Sequence, residues 1–217
     1  MTNKKDVNAE NQNQTYEAWF NANFKKCICG AVVLVVAAAV VIAGVMICKQ
    51  KNSAAKARLL AADIENVESI IAESPDHADV AITRMRIGNE LLTMKKWKEA
   101  REQFVKISDI ADAAVFLRDS ARLAAASCLE QLNDFDAAAK EFAAIEADNS
   151  ASVQVRSEAG YNAGRMMLKS GKISEAEKIL QNVAAMTGSS PWIGLSRNTL
   201  IAIKNGDFAV PAAKKGK

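Results

Sequence analysis

Four cysteines and one histidine are the side chains in this 217-residue sequence with the widest chemical repertoire. A thiolate can attack an electrophile, bind a soft metal or form a disulfide, and an imidazole can relay a proton or ligate zinc. Their spacing organises none of these. Cys27, Cys29 and Cys48 lie within or at the edges of one apolar run, Cys128 lies in an alanine-rich stretch, and His77 is remote from all four in sequence. Cys27 and Cys29 are one residue apart, too close for an ordinary paired site, and no metal-ligand spacing or disulfide framework emerges. The four thiols read as small apolar packing groups without a metal or redox role. Acidic pairs such as Glu175 and Glu177 fall beside lysine on exposed helical positions, the pattern of a solvated face and not of a general acid and base. One histidine leaves no His-based triad, and no glycine-rich phosphate loop is present. The chain is expected to be no enzyme and to hold no cofactor or metal.

The elements that remain are helices. Proline occurs three times, while Ala, Leu, Glu, Lys and Met, all good helix formers, dominate the sequence after residue 53. The length leaves room for one globular domain of ordinary size once a membrane span and two tails are set aside. A net charge of only +3, spread along the helices, argues against a nucleic-acid-binding surface.

From Cys27 to Cys48 there are 22 residues without a charge. As a helix this segment is about 33 Å long, the thickness of a bilayer's hydrocarbon core. A cleaved signal peptide has a shorter apolar region, and Met46-Ile47-Cys48 is a poor cleavage site; the bulky Ile47 also argues against a lipidated Cys48. The segment reads as an uncleaved transmembrane anchor. Ahead of it, Tyr16, Trp19, Phe20 and Phe24 recur at helical spacing before Lys25-Lys26. Two readings of these aromatics stand: a headgroup-layer anchor, or a disordered stretch that touches the membrane occasionally. The preceding NAENQNQ reads as disordered. Lysines flank both ends of the span, so the positive-inside count leaves its orientation nearly neutral. Ala39, Ala43 and Gly44 are small enough to admit a second helix, though such residues are common in spans.

Past the span the sequence repeats. Segments starting at Arg84, Arg122 and Gly160 align without a gap, each 38 residues after the last. The small residues Gly88, Ala126 and Gly164 coincide, followed by Leu91, Leu129 and Met167; so do Ala100, Ala138 and Ala176, then Phe104, Phe142 and Leu180, then Ile107, Ile145 and Val183. Small-then-large positions mark close helix contacts, and spacings of three and four put the second set on one face. The polar breaks Lys95-Lys96, Asn133-Asp134 and Ser170-Gly171-Lys172 predict tight turns between antiparallel helices. A fourth, incomplete unit starts at Ser190-Pro191, offers Trp192, Leu195, Leu200 and Ile203 as an apolar face, ends at Asn205-Gly206-Asp207, and reads as a terminal cap. Residues 53–74, with Leu59, Leu60, Ile64, Val67, Ile70 and Ile71, predict one opening helix closed by Ser74-Pro75-Asp76.

Over about residues 78 to 187 this pattern resembles the tetratricopeptide repeat, with its small residue eight positions in, a large one at eleven, alanine at twenty and an aromatic at twenty-four. It departs from that family in lacking the tryptophan near the start of the first helix, where Arg84, Arg122 and Gly160 stand, and in running to 38 residues against about 34. The expected first helices are correspondingly long. The fold class is all-α: one N-terminal transmembrane helix followed by a tetratricopeptide-like antiparallel helix-pair solenoid. The boundaries are a polar and aromatic segment over 1–26, a transmembrane helix over 27–48, a connecting and opening helix over 49–76, repeats over 77–205 and a disordered tail over 206–217.

The resemblance implies protein binding in a groove formed by the first helix of each unit. It puts Asn89, Ser127 and Arg165 in that groove, immediately after the small residues, and Met85, Leu123 and Tyr161 four residues earlier on the same face. Polar members would bond a peptide backbone while apolar ones take its side chains; the alternatives are an ordinary solvated groove and, for Met85 and Leu123, packing between repeats. The arrangement as a whole, with EAWFNANFKK before the span and SPDHADVAITRMRIG after it, is similar to the bacterial ancillary translocon-subunit family. That likeness implies an inner-membrane protein with a periplasmic repeat domain, partnered by the secretion channel or envelope chaperones. A scaffold subunit of a membrane complex and a cytoplasmic-facing membrane adaptor are the competing expectations.

Overall fold

The computed structural model describes residues 4–110 and 112–208. They divide into two compact units, one ending at Ala55 and the other beginning at Lys56. The tail that follows Phe208, expected to be structureless, lies outside the described residues.

The first unit is built on helix α1 (Lys4–Ala61), whose last turns belong to the second unit. No proline occurs before Pro75, and only Gly30 and Gly44 interrupt the helix formers of α1, each at a cost of about 1 kcal/mol. The part Ile28–Ala61 contains a window with a mean hydropathy of 3.1, none of it buried, so α1 is long and apolar enough to cross a membrane. The backbone is helical from Lys4, which corrects the reading of NAENQNQ as disordered. Adding residues to an existing helix avoids the unfavourable nucleation step, and nothing in that stretch breaks the hydrogen-bond ladder.

The expected single opening helix over residues 53–74 is divided. Helix α1 ends at Ala61, and α2 covers Val67–Glu73. Between them Asp63 Oδ1 accepts from the backbone N–H of Glu65 and Asn66, at 3.1 and 3.0 Å, while the Asp63 N–H donates to Asn66 Oδ1 at 2.9 Å. These local bonds offer the backbone an alternative to the helix. Leu59, Val67 and Ile71 enter the core on either side of the break, and Leu60 stays half exposed.

Three helix pairs follow: α3 (Val80–Thr93) with α4 (Trp97–Ser108), α5 (Val115–Gln131) with α6 (Phe135–Glu146), and α7 (Val153–Lys169) with α8 (Ile173–Ala184). Helices α4, α6 and α8 each have 12 residues, whereas α3 has 14 and α5 and α7 have 17, so the first helix is the longer of each pair, most clearly in the second and third. The turns repeat in detail. Lys95, Asn133 and Gly171 all take positive φ, at 58°, 61° and 73°. The next residue's N–H closes a bond to the carbonyls of Leu91, Leu129 and Met167, at 2.9, 3.0 and 2.9 Å. Glycine suits this position and asparagine tolerates it; Lys95 bears a cost of about 1–2 kcal/mol for the left-handed backbone.

Each pair closes on the small-large contact. A Cβ on Gly88 would lie 2.5 Å from Phe104, and one on Gly164 would lie 2.7 Å from Leu180; Ala126 and Phe142 share one buried cluster. Ala100, Ala138 and Ala176 are fully buried beside them. From α2 onward each helix packs on the next, and the first helices also meet in order, α3 on α5, α5 on α7, and α7 on α9. Helix α9 (Pro191–Asn205) starts with proline in its first turn and ends at Gly206, which takes the left-handed conformation. Its buried residues are Ile193 and Ser196. The expected face is therefore rotated: Trp192, Leu200 and Ile203 are half-buried and Leu195 is exposed.

Gly88→Ala should cost about 1–3 kcal/mol, because the new methyl meets the fully buried Phe104 ring. Adding Phe104→Leu should recover part of that loss, as a double-mutant cycle on thermal unfolding will show.

Candidate groove face

The six groove candidates lie on α3, α5 and α7, and the structure treats them unequally. Met85 is half-buried against the core that contains Phe104, and Leu123 is half-buried against the one that contains Phe142. Asn89 and Ser127 are exposed, but the Ser127 hydroxyl donates to the Leu123 carbonyl of its own helix at 2.9 Å. Tyr161 lies against Trp192 of α9, with ring centroids 5.4 Å apart and planes tilted by 34°. The contact joins two neighbouring helices of the row and covers part of Trp192, which is half-buried.

Arg165 is held within the fold. Its two terminal nitrogens each donate to Glu130 of α5, at 2.7 Å to separate carboxylate oxygens, a bidentate pair. Asn162 Oδ1 accepts from the same guanidinium at 3.0 and 3.3 Å. Lys169, one turn on, reaches Glu130 at 2.7 Å and stands 5.2 Å above the Phe135 ring. Burial alone would raise the Glu130 carboxyl, but the bonds from Arg165 and Lys169 outweigh it and hold the group below its ordinary value of 4.5. Two cations against one carboxylate leave this cluster with one uncompensated positive charge.

A cleft of about 450 Å³ opens beside the cluster, lined by Tyr161, Arg165, Leu168, Lys169, Thr199 and Phe208. The structure thus brings Tyr161 and Arg165 together in one cleft; Met85, Asn89, Leu123 and Ser127 are not among its walls. Glu130, Leu168, Lys169, Thr199 and Phe208 were missed in the sequence. The signal for Glu130 and Lys169 was available in the register, since each lies three or four residues past a groove position on its helix, with opposite charges on adjacent units.

Other polar clusters join helices away from this cleft. Arg84, whose side chain is 9% exposed, pairs with Glu68 of α2 at 2.9 Å and bonds Gln103 of α4 at 2.7 Å. The Arg84 bond, with help from Lys106 and Gln103, overcomes burial and keeps the Glu68 carboxyl well below the usual carboxylate range. Arg101 of α4 pairs with Glu141 of α6, and a second cleft of about 270 Å³ lies there, lined by residues including Val105, Arg122 and Ile145. Cys128 is fully buried, and burial pushes its thiol up to about 11, which leaves it protonated and inert. Cys29 and Cys48 are exposed on α1. Among the described residues no group of three or more His, Cys, Asp or Glu could hold a metal ion. No protein-family model matches the chain, and no curated protein and no solved structure matches it either.

Glu130 and Glu68 set a pH dependence. Their folded values lie below their unfolded ones, so their contribution to stability is present above about pH 4.5 and is lost as pH falls through the folded values. The thermal midpoint of the chain should drop below that pH, and Glu130→Gln should lower it at neutral pH while flattening part of the acid loss.

Proposed function

We propose that this chain is a membrane-anchored protein-binding module of tetratricopeptide-like architecture. It serves as an accessory factor or chaperone tether for protein translocation or envelope assembly. The observation that carries the reading is the row of first helices, α3 on α5 on α7 on α9. The reading takes Met85, Asn89, Leu123, Ser127, Tyr161 and Arg165, which recur at a 38-residue interval on these helices, as the binding positions. Such a face suits an extended peptide or a helix from another protein. The 450 Å³ cleft beside Tyr161 is large enough for one or two apolar side chains of such a partner.

In this reading Asn89 offers a free amide for a peptide backbone, while Arg165 with Lys169 supplies the uncompensated charge beside an apolar wall. The apolar part of α1 is the single inner-membrane anchor, and the repeat domain is periplasmic. Confinement to the membrane raises the local concentration of module and client without any new contact. Partners among the secretion channel and envelope chaperones follow from the likeness of EAWFNANFKK and SPDHADVAITRMRIG to the translocon-subunit family.

A scaffold role is the second reading, favoured by the cleft on α4, α5 and α6 with its exposed Val105 and the Arg101–Glu141 pair. There the array would pack on another membrane complex through its second helices. Photo-crosslinking residues placed at Asn89, Leu123 and Tyr161 separate the two in intact cells. The groove reading expects protein adducts at these positions and none at Lys140 or Val105; adducts confined to the latter two would replace it with the scaffold.

A further inference from the structure

Among the described residues, α9 leaves a face uncovered that earlier helices bury. In α7, Ser157, Gly160, Ala163 and Gly164 are all buried, with Gly164 closed by Leu180 and Gly160 by Val183 and Glu146. Thirty-eight residues on, the same positions in α9 are Leu195, Asn198, Ile201 and Ala202. Leu195 is 40% exposed and Ile201 is 59% exposed. Asn198 is exposed, and a Cβ on Gly194 would meet nothing within 4 Å. Among the described residues α9 meets only α7 and α8. A capping helix shows water a polar outer face; this one shows leucine and isoleucine.

We propose that a second copy of this chain covers that face, with α9 against α9 in an antiparallel pair about a two-fold axis at Asn198. The pattern of residues carries the choice of occupant. At about 100° per residue, Asn198 lies at the centre of the exposed face, Leu195 and Ala202 lie along one edge, and Gly194 and Ile201 along the other. An antiparallel two-fold keeps each edge facing the same edge of the other copy, reversed end for end. Leu195 then falls opposite the second copy's Ala202, and Ile201 opposite its Gly194. Every large side chain meets a small one, and small residues let the backbones approach. Asn198 meets its own symmetry mate, and an amide is both donor and acceptor, so two can pair across the axis. A single central asparagine also fixes register at an otherwise apolar helix contact. No charge lies on the axis: Arg197 turns away and donates to the Ala184 carbonyl at 3.0 Å.

The same face is less suited to the chain's own kind of second helix. Helices α4, α6 and α8 place Phe104, Phe142 or Leu180 over a small residue at mid-helix. On α9 that small position is kept as Ala202, but Asn198 stands where α7 has Gly160 under Val183, and an apolar side chain placed there would leave its amide unpaired at a cost of about 1–3 kcal/mol.

The test uses the full chain in its native membrane, with Cys27, Cys29 and Cys48 replaced by serine and the buried Cys128 retained. Asn198→Cys is treated with a short bismaleimide, beside Gln131→Cys as a control on α5. The expected product is a covalent dimer of twice the chain mass from Asn198→Cys and not from Gln131→Cys. Leu195→Asp in the same background should abolish it while the purified chain keeps its helical circular dichroism, because Leu195 lies at the surface of the single copy. Equal dimer at both cysteines, adducts only with other proteins, or dimer undiminished by Leu195→Asp would each overturn the proposal.

Discussion

The fold of the second unit depends on one contact made three times, a small residue on a first helix against a large one on the second. Gly88 receives Phe104, Ala126 receives Phe142, and Gly164 receives Leu180. A residue no larger than alanine at the crossing lets two helix axes approach, and the large side chain then fills the space at close to crystalline density. Everything else follows from that approach. The turn between the helices is short because their ends are near, and the backbone at Lys95, Asn133 and Gly171 must enter the left-handed region to make it. The first helices are then free on their other side to lie against one another, which is what creates a continuous face.

That much was legible in the sequence because the repeat has no gaps. An alignment at 38 residues places Trp97, Phe135 and Ile173 in register, and these are the first residues of α4, α6 and α8. The break after Ala61 was not legible, since Asp63 and Asn66 look like ordinary helix-surface residues until their side chains are seen bonding local backbone. The face of α9 was misplaced for a related reason. Its apolar residues surround most of the helix, so periodicity alone could not choose Ile193 and Ser196 over Leu195.

The proposed groove is read from the sequence as a ladder of positions and not as a set of contacts. Register placed Tyr161 and Arg165 on one face, and they do wall one cleft. It could not show that Arg165 is held by Glu130, because the two residues are 35 apart and meet only once α5 and α7 lie side by side. That pair cuts both ways for binding. A bidentate ion pair between neighbouring first helices fixes the spacing of the row, yet it also occupies the donors that a peptide would need. Lys169 supplies the surplus charge, and Asn89 the open amide. The polar Arg101–Glu141 pair stands where Ala139 and Ile179 stand one unit later, so the two junctions between units differ in chemistry.

The functional account turns on which side of the membrane the helical array occupies, because envelope partners can reach it on one side only. Protease added outside intact spheroplasts, with a cytosolic protein as the marker of leakage, measures this directly. The account predicts that the chain is cut after about residue 50, with the array lost while the marker survives. An array that stays intact until the cells are lysed would contradict it and would make the protein a cytoplasmic adaptor held at the membrane.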